Sequence, residues 1–206
     1  AYEIYQCDWS SDVCSSDLAV RRKRALNTQP ISLPDLPEGA SDPAFREFYD
    51  HWRRASPPGL LPGRQHIDPV ARIPWLVANL ALFDVVPGKE GLRFRVSQIG
   101  ELMVNVTGSD PTGRFVDDLI KPEFRSRVNA AFAQVARERV AHYWENPMWT
   151  HQNDFIRMRR LALPLAGDGR TVDMIFACYV RSDEPTAEEH RLEGPAGDGR
   201  PRGVRL

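Results

Sequence analysis

Cysteine is scarce in this chain, with three in 206 residues, at positions 7, 14 and 178. That excludes the small disulfide-framed class, in which paired cysteines replace a hydrophobic core. Long apolar runs are also missing. None approaches the roughly 18 residues that a membrane-crossing helix needs. The first residues are acidic and polar, unlike a secretory signal. Charge of one sign is lacking too: the net charge is −1, which gives no electrostatic case for a nucleic-acid partner. Sought and not found are the H-E-x-x-H, P-loop and G-x-S-x-G patterns that would announce a metalloprotease, a nucleotide cradle or a serine nucleophile. What is present is ordinary: 42% hydrophobic and 27% charged residues, the profile of a globular cytoplasmic protein with one domain and tails.

Residues 1–18 (AYEIYQCDWSSDVCSSDL) carry no amphipathic period. They resemble a translated short-read sequencing adapter and are set aside from fold reasoning. Setting them aside removes Glu3, Asp8, Asp12 and Asp17, leaving 27 basic against 24 acidic residues. It also removes Cys7 and Cys14, so Cys178 is the one thiol with structural meaning. Residues 19–40 contain the basic run RRKR at 21–24 and prolines at 30, 34 and 37, and read as a disordered linker. Residues 181–206 are rich in glycine, proline and charge and read as a disordered tail. The domain is expected over residues 41–180.

The domain opens on a cap-and-start signal. Asp42 suits the free amides of a helix, and Pro43 suits its first turn. Phe45, Phe48, Tyr49 and Trp52 then fall at i, i+3, i+4 and i+7, one apolar stripe that must dock on the domain's own sheet or on a partner copy. Asp68-Pro69 repeats the signal for a short helix. Residues 79–86 (NLALFDVV) and 92–99 (LRFRVSQI) read as a hairpin around the loop at 87–91. In the second strand Leu92, Phe94, Val96 and Gln98 share one side while Arg93, Arg95 and Ser97 share the wet one. Short helical pieces follow, then a helix from Pro122 to about Arg139 with Phe124, Val128, Phe132, Val135 and Ala136 on one face. Strands at about 140–149, 154–165 and 171–180 close the domain. This order predicts an α+β fold, a five-stranded antiparallel sheet with helices on one face, preceded by the amphipathic helix.

Gly108-Ser109-Asp110-Pro111-Thr112-Gly113, followed by Asp118-Leu119, resembles the G-x-D-x-T-G…D-L signature of a proteobacterial PAS family first described as a domain of unknown function. Leu82-Phe83-Asp84-Val85 is similar to its first strand, and Phe94-Arg95-Val96 with Gly100 to its second. Leu163-Pro164-Leu165 and Val172-Asp173 are similar to its closing hairpin. Glu101 departs from the pattern, which has a small residue such as threonine after the glycine. Physically, Gly108 and Gly113 permit backbone angles closed to other residues, and Asp110 and Thr112 can bond nearby amides, so the signature reads as architecture rather than chemistry. The resemblance implies a cradle over one sheet face that takes small ligands or cofactors, with signals passed through flanking helices.

Handles for a cofactor are sparse. A flavin photoreceptor of this fold needs a cysteine in an Asn-Cys-Arg-type helix motif, whereas Cys178 falls in the last strand. Haem needs an axial ligand, and neither His142 nor His151 has a partner motif. No metal motif is seen. Phe83, Phe94, Phe115, Leu119, Phe132 and Phe176 are placed to line a ligand pocket, or equally to fill a core. Asp84, Asp117, Asp118 and Asp173 are the acidic residues that a small α+β cone enzyme would use, though helix capping accounts for the adjacent pair. The function expected is therefore a non-catalytic sensory module acting by protein–protein contact or homodimerisation through the first helix, with a small ligand as a possible modulator. The competing expectations are the cone enzyme and a fragment of a longer signalling protein.

Overall fold

The computed structural model describes residues 31–149 and 155–182. The expected artefact at 1–18, the first part of the linker, His151 and the tail beyond 182 lie outside the described residues.

Helix α1 (Pro43–Arg54) starts as its sequence dictates. The Asp42 side chain accepts from the Ala44 amide at 2.8 Å, and Pro43 occupies the first turn. The short helix α2 (Pro69–Arg72) is capped the same way, by Asp68 accepting from Ala71 N at 3.2 Å. Strands β1 (Leu80–Gly88) and β2 (Gly91–Ile99) form a tight hairpin. Helices α3 (Glu101–Thr107), α4 (Val116–Leu119) and α5 (Pro122–Glu138) follow. Helix α5 ends at Arg139, which takes a left-handed φ of 60°. Strands β3 (His142–Trp149), β4 (Phe155–Leu165) and β5 (Met174–Arg181) complete the chain. The sheet runs β2-β1-β5-β4-β3, every pairing antiparallel, so the first and last strands meet at its centre.

As expected, the later helices cover one face of this sheet, and the amphipathic helix that precedes them covers the other. On the back face α1 lies against Leu80, Leu82, Leu161, Leu163, Leu165, Phe176 and Cys178. On the front face α3, α4 and α5 lie over Ala81, Phe83, Phe94, Val96, Met158, Ala162, Ile175 and Ala177. Strand β5 fits between the two layers: Met174–Arg181 reads MIFACYVR, an almost unbroken apolar run, and such a run belongs to a strand buried on both sides. Residues 31–40 differ from the disordered linker expected there. Ile31, Leu33 and Leu36 pack on the back-face core, and Ala40 is fully buried. Ile31 N donates to the Gly59 carbonyl at 2.8 Å. The prolines keep this stretch extended rather than unstructured.

Strand β5 begins at Met174 rather than near Thr171, because residues 167–173 form a turn closed by their own side chains. The Asp168 carboxylate accepts from the amides of Arg170 and Thr171, both at 2.7 Å, and Asp173 accepts from Gly167 N at 3.0 Å.

Candidate functional site

The aromatic stripe of α1 is spent within the chain. Phe45, Phe48 and Trp52 are fully buried and Tyr49 nearly so. Phe48 meets Phe176 with ring centroids 4.5 Å apart, and Trp52 Nε1 donates to the Pro164 carbonyl at 2.9 Å. That carbonyl is free to accept because β3 pairs no further along β4 than Ala162. Asp42 pairs with Arg159 of β4 at 2.9 Å, and the Arg159 guanidinium lies 5.9 Å from the Phe45 ring. Of the two destinations expected for the stripe, these four side chains take the sheet. The outward side of α1, with Arg46, Arg53 and Arg54 exposed, is what remains for another molecule.

The six pocket candidates do not converge. Phe83, Phe94 and Phe132 fill the centre of the front face ring against ring, at 4.9 and 5.2 Å between centroids. Phe176 belongs to the back face. It borders a recess of about 420 Å³ at the sheet margin, together with Leu82, Ile67, Ile99 and Glu101. Phe115 is half-buried under the Arg93 guanidinium, 3.8 Å from its ring centroid. Leu119 is 37% exposed, and Phe124, expected on the inner side of α5, is 44% exposed. The strand register sets this division: Phe83 and Phe176 lie one position apart in phase, so their side chains leave the sheet on opposite sides.

The signature loop is a sheet-edge clamp. Gly108 (φ 76°) ends α3, and Asp110 Oδ1 accepts from Thr112 N at 2.9 Å and from Thr112 Oγ1 at 2.6 Å. These bonds hold the Asp110 carboxyl below its usual range. Gly113 (φ 85°) donates to the Val96 carbonyl at 2.8 Å, and Val96 N donates back to Arg114 O at 2.9 Å. The loop thus saturates part of the free edge of β2. The departure at Glu101 changes little: Gly100 still begins α3, its amide donating to Leu80 O at 2.7 Å, and Glu101 sits exposed in the first turn, where the helix dipole favours an acid.

The four aspartates do not form one cluster. Asp84 binds Arg95 at 2.8 Å, and Asp173 holds the 167–173 turn. Asp117 accepts two hydrogen bonds from Arg93, each 2.9 Å, with Asp118 beside it at 3.3 Å. This bidentate partner, rather than capping, is what the adjacent acids serve. The bonds from Arg93 hold the Asp117 carboxyl low. Among the described residues no group of three or more His, Cys, Asp and Glu side chains is arranged to hold a metal.

Residues that the sequence did not single out form the remaining polar feature of the front face. Trp144, Arg160 and Tyr179 are paired directly across β3, β4 and β5, so their side chains stand in one row beneath α5. Arg160 is only 5% exposed. Its guanidinium lies 4.4 Å from the Phe132 ring centroid and 5.5 Å from that of Trp144, and it hydrogen-bonds the Tyr179 hydroxyl. His142 follows on the same face of β3, half-buried, its imidazole held below the usual range by burial and then by the Arg160 charge. A recess of about 200 Å³ opens here between α5 and β3. Cys178 lies on the other face, wholly buried, with burial pushing its thiol far up. The signal for the row was the Arg159-Arg160 doublet within an apolar strand, since adjacent strand residues must point to opposite faces.

The family model described as a PAS domain matches residues 40–180. No curated protein is similar enough to count as a relative. Among solved structures, the Rhodobacter sphaeroides LOV protein aligns at 12% identity and a TM-score of 0.43, over 56% of this chain and 65% of that one. The PAS domain of Bordetella pertussis BvgS aligns at 16% identity and a TM-score of 0.42, over 56% of this chain and 83% of that one. A PAS domain from Colwellia psychrerythraea aligns at 11% and 0.42, over 55% and 97%. The family match takes in the signature loop, all five strands and α1, and the chain belongs to the PAS-domain family.

Proposed function

We propose that this chain is a non-catalytic sensory or regulatory module of the cytoplasm that works by protein–protein contact, its state modulated by a small ligand on the front face. The observation carrying this reading is the back-to-back arrangement on β4. Arg159 faces backward and holds Asp42 at the start of α1, while its neighbour Arg160 faces forward beneath α5. Strand β5 repeats the pattern, with Cys178 and Phe176 against α1 and Tyr179 in the forward row. A displacement of either strand by a front-face ligand is felt at the seat of α1, and packed interiors transmit such shifts rather than absorb them. The outward side of α1 then serves as the contact surface. Chemistry has less support, because the candidate acids are each committed to a cation or a turn.

Light scattering and affinity capture of the full chain test this reading, with wild type set against an Arg46→Glu, Arg53→Glu double variant. Self-association or partner capture that the double variant loses, at unchanged thermal stability, supports it. A wild-type chain that stays monomeric and captures nothing, or a double variant that associates equally well, overturns the role of α1.

A further inference from the structure

We propose that the front-face recess at Arg160 binds a small organic carboxylate. The proposal rests on the sensor reading and gives its ligand a chemical class.

A buried guanidinium needs an anion. Arg160 is almost wholly removed from water, yet none of the ion pairs among the described residues includes it. A buried charge without a counter-ion is costly, and rings and a phenol offset only part of that cost. The rings of Phe132 and Trp144 lie against the guanidinium, which leaves its in-plane N–H groups to find partners. Tyr179 takes one of them, and Nε has none. His142 Nδ1, on the same wall, is also buried without a partner. Among the described residues the recess is lined by no carboxylate, and a second cation, Arg127, stands at its mouth, so every charged group described at its border is positive.

The rest of the lining defines the body of the ligand. Val128, Ala131 and Trp144 are apolar or flat, and Gln134 adds an amide at the rim. Alanine at positions 130 and 131 of α5 leaves the space that a larger side chain would fill. About 200 Å³ is below the usual size of a site for drug-sized molecules, which sets the scale at a monoacid with a short or planar tail. A planar carboxylate matches the edge of a guanidinium through two parallel bonds. Inorganic phosphate has no part that uses the apolar wall.

The test is ¹H–¹⁵N spectroscopy of the full chain titrated, at constant ionic strength, with benzoate, inorganic phosphate or benzyl alcohol. We expect saturable shifts at the amides of His142, Trp144 and Arg160 with benzoate, at a Kd of about 1 mM or tighter, and none with benzyl alcohol. Arg160→Gln weakens benzoate by about tenfold or more. Ala131→Leu, which keeps the guanidinium and fills the recess, does the same and serves alone where Arg160→Gln fails to fold. Absence of saturable shifts in wild type, or unchanged affinity in a folded variant, overturns the site. Phosphate binding as tightly as benzoate overturns the carboxylate assignment. Such a failure is separable from the contact reading, because association through α1 is measured without ligand.

Discussion

The two faces of the sheet bury comparable hydrophobic layers but treat charge oppositely. On the back face the partly buried cation Arg159 meets a buried anion, Asp42, and the indole of Trp52 satisfies a strand carbonyl. On the front face Arg160 has rings and a phenol but no carboxylate among the described residues. Each face keeps buried polar atoms without partners, His51 Nε2 and Arg159 Nε on the back, Arg160 Nε and His142 Nδ1 on the front. The faces differ in the counter-ion: the back-face cation has an internal anion, and the front-face cation has none among the described residues.

The contrast is most severely tested at Trp52. Truncating it to alanine removes a fully buried ring and leaves the Pro164 carbonyl without its donor, so Trp52→Ala should cost about 3–5 kcal/mol in urea unfolding. A cost below about 1 kcal/mol would mean that α1 is not fastened. Next comes Asp42→Asn, which strands Arg159 while keeping an oxygen for the Ala44 amide. We expect about 3 kcal/mol by the same measurement. A similar loss from Arg160→Met would erase the distinction between the faces. That variant is expected to be close to neutral without ligand, since an unpaired buried cation is exchanged for an apolar side chain.

Gly113→Ala probes the edge clamp rather than either face. Nothing crowds the position, but its φ of 85° disfavours any side chain, and the expected loss is about 1 kcal/mol.

The smallest effect is in pH. His51 on α1 and His142 on β3 are both held below the ordinary 6.5, each by burial first. The unfolded chain therefore binds protons that the folded chain refuses. Stability is full above about pH 6.5 and falls as the pH drops below it. Thermal melts of His51→Gln and His142→Gln should each flatten that slope. If His142→Gln alone flattens it, the proton linkage belongs to the front face.

Much of the fold was legible in the sequence because caps and turns are local. Asp42-Pro43, Asp68-Pro69 and Pro122 announce their helices within a residue or two, and β2 shows its half-buried alternation in LRFRVSQI. Which face each residue joins was not legible where a strand is apolar on both sides. In β5 the alternation carries no sign, so Phe176 was grouped with Phe83 although the sheet separates them. The partners of Asp117 and Asp118 were hidden for another reason: Arg93 is 24 residues from Asp117, and only the return of the loop to β2 brings them together. The front-face row was missed because its members come from three strands, and pairing register is not written in any one of them.

The clamp on β2 also limits how copies of this sheet can join. Unlimited ribbon growth requires each unit to offer two open margins, one to give and one to receive. Here the hydrogen-bonding groups of Val96 on one margin are already taken by Gly113 and Arg114. A strand from another copy therefore meets an interruption at the middle of the β2 margin, where no ladder can run through Val96.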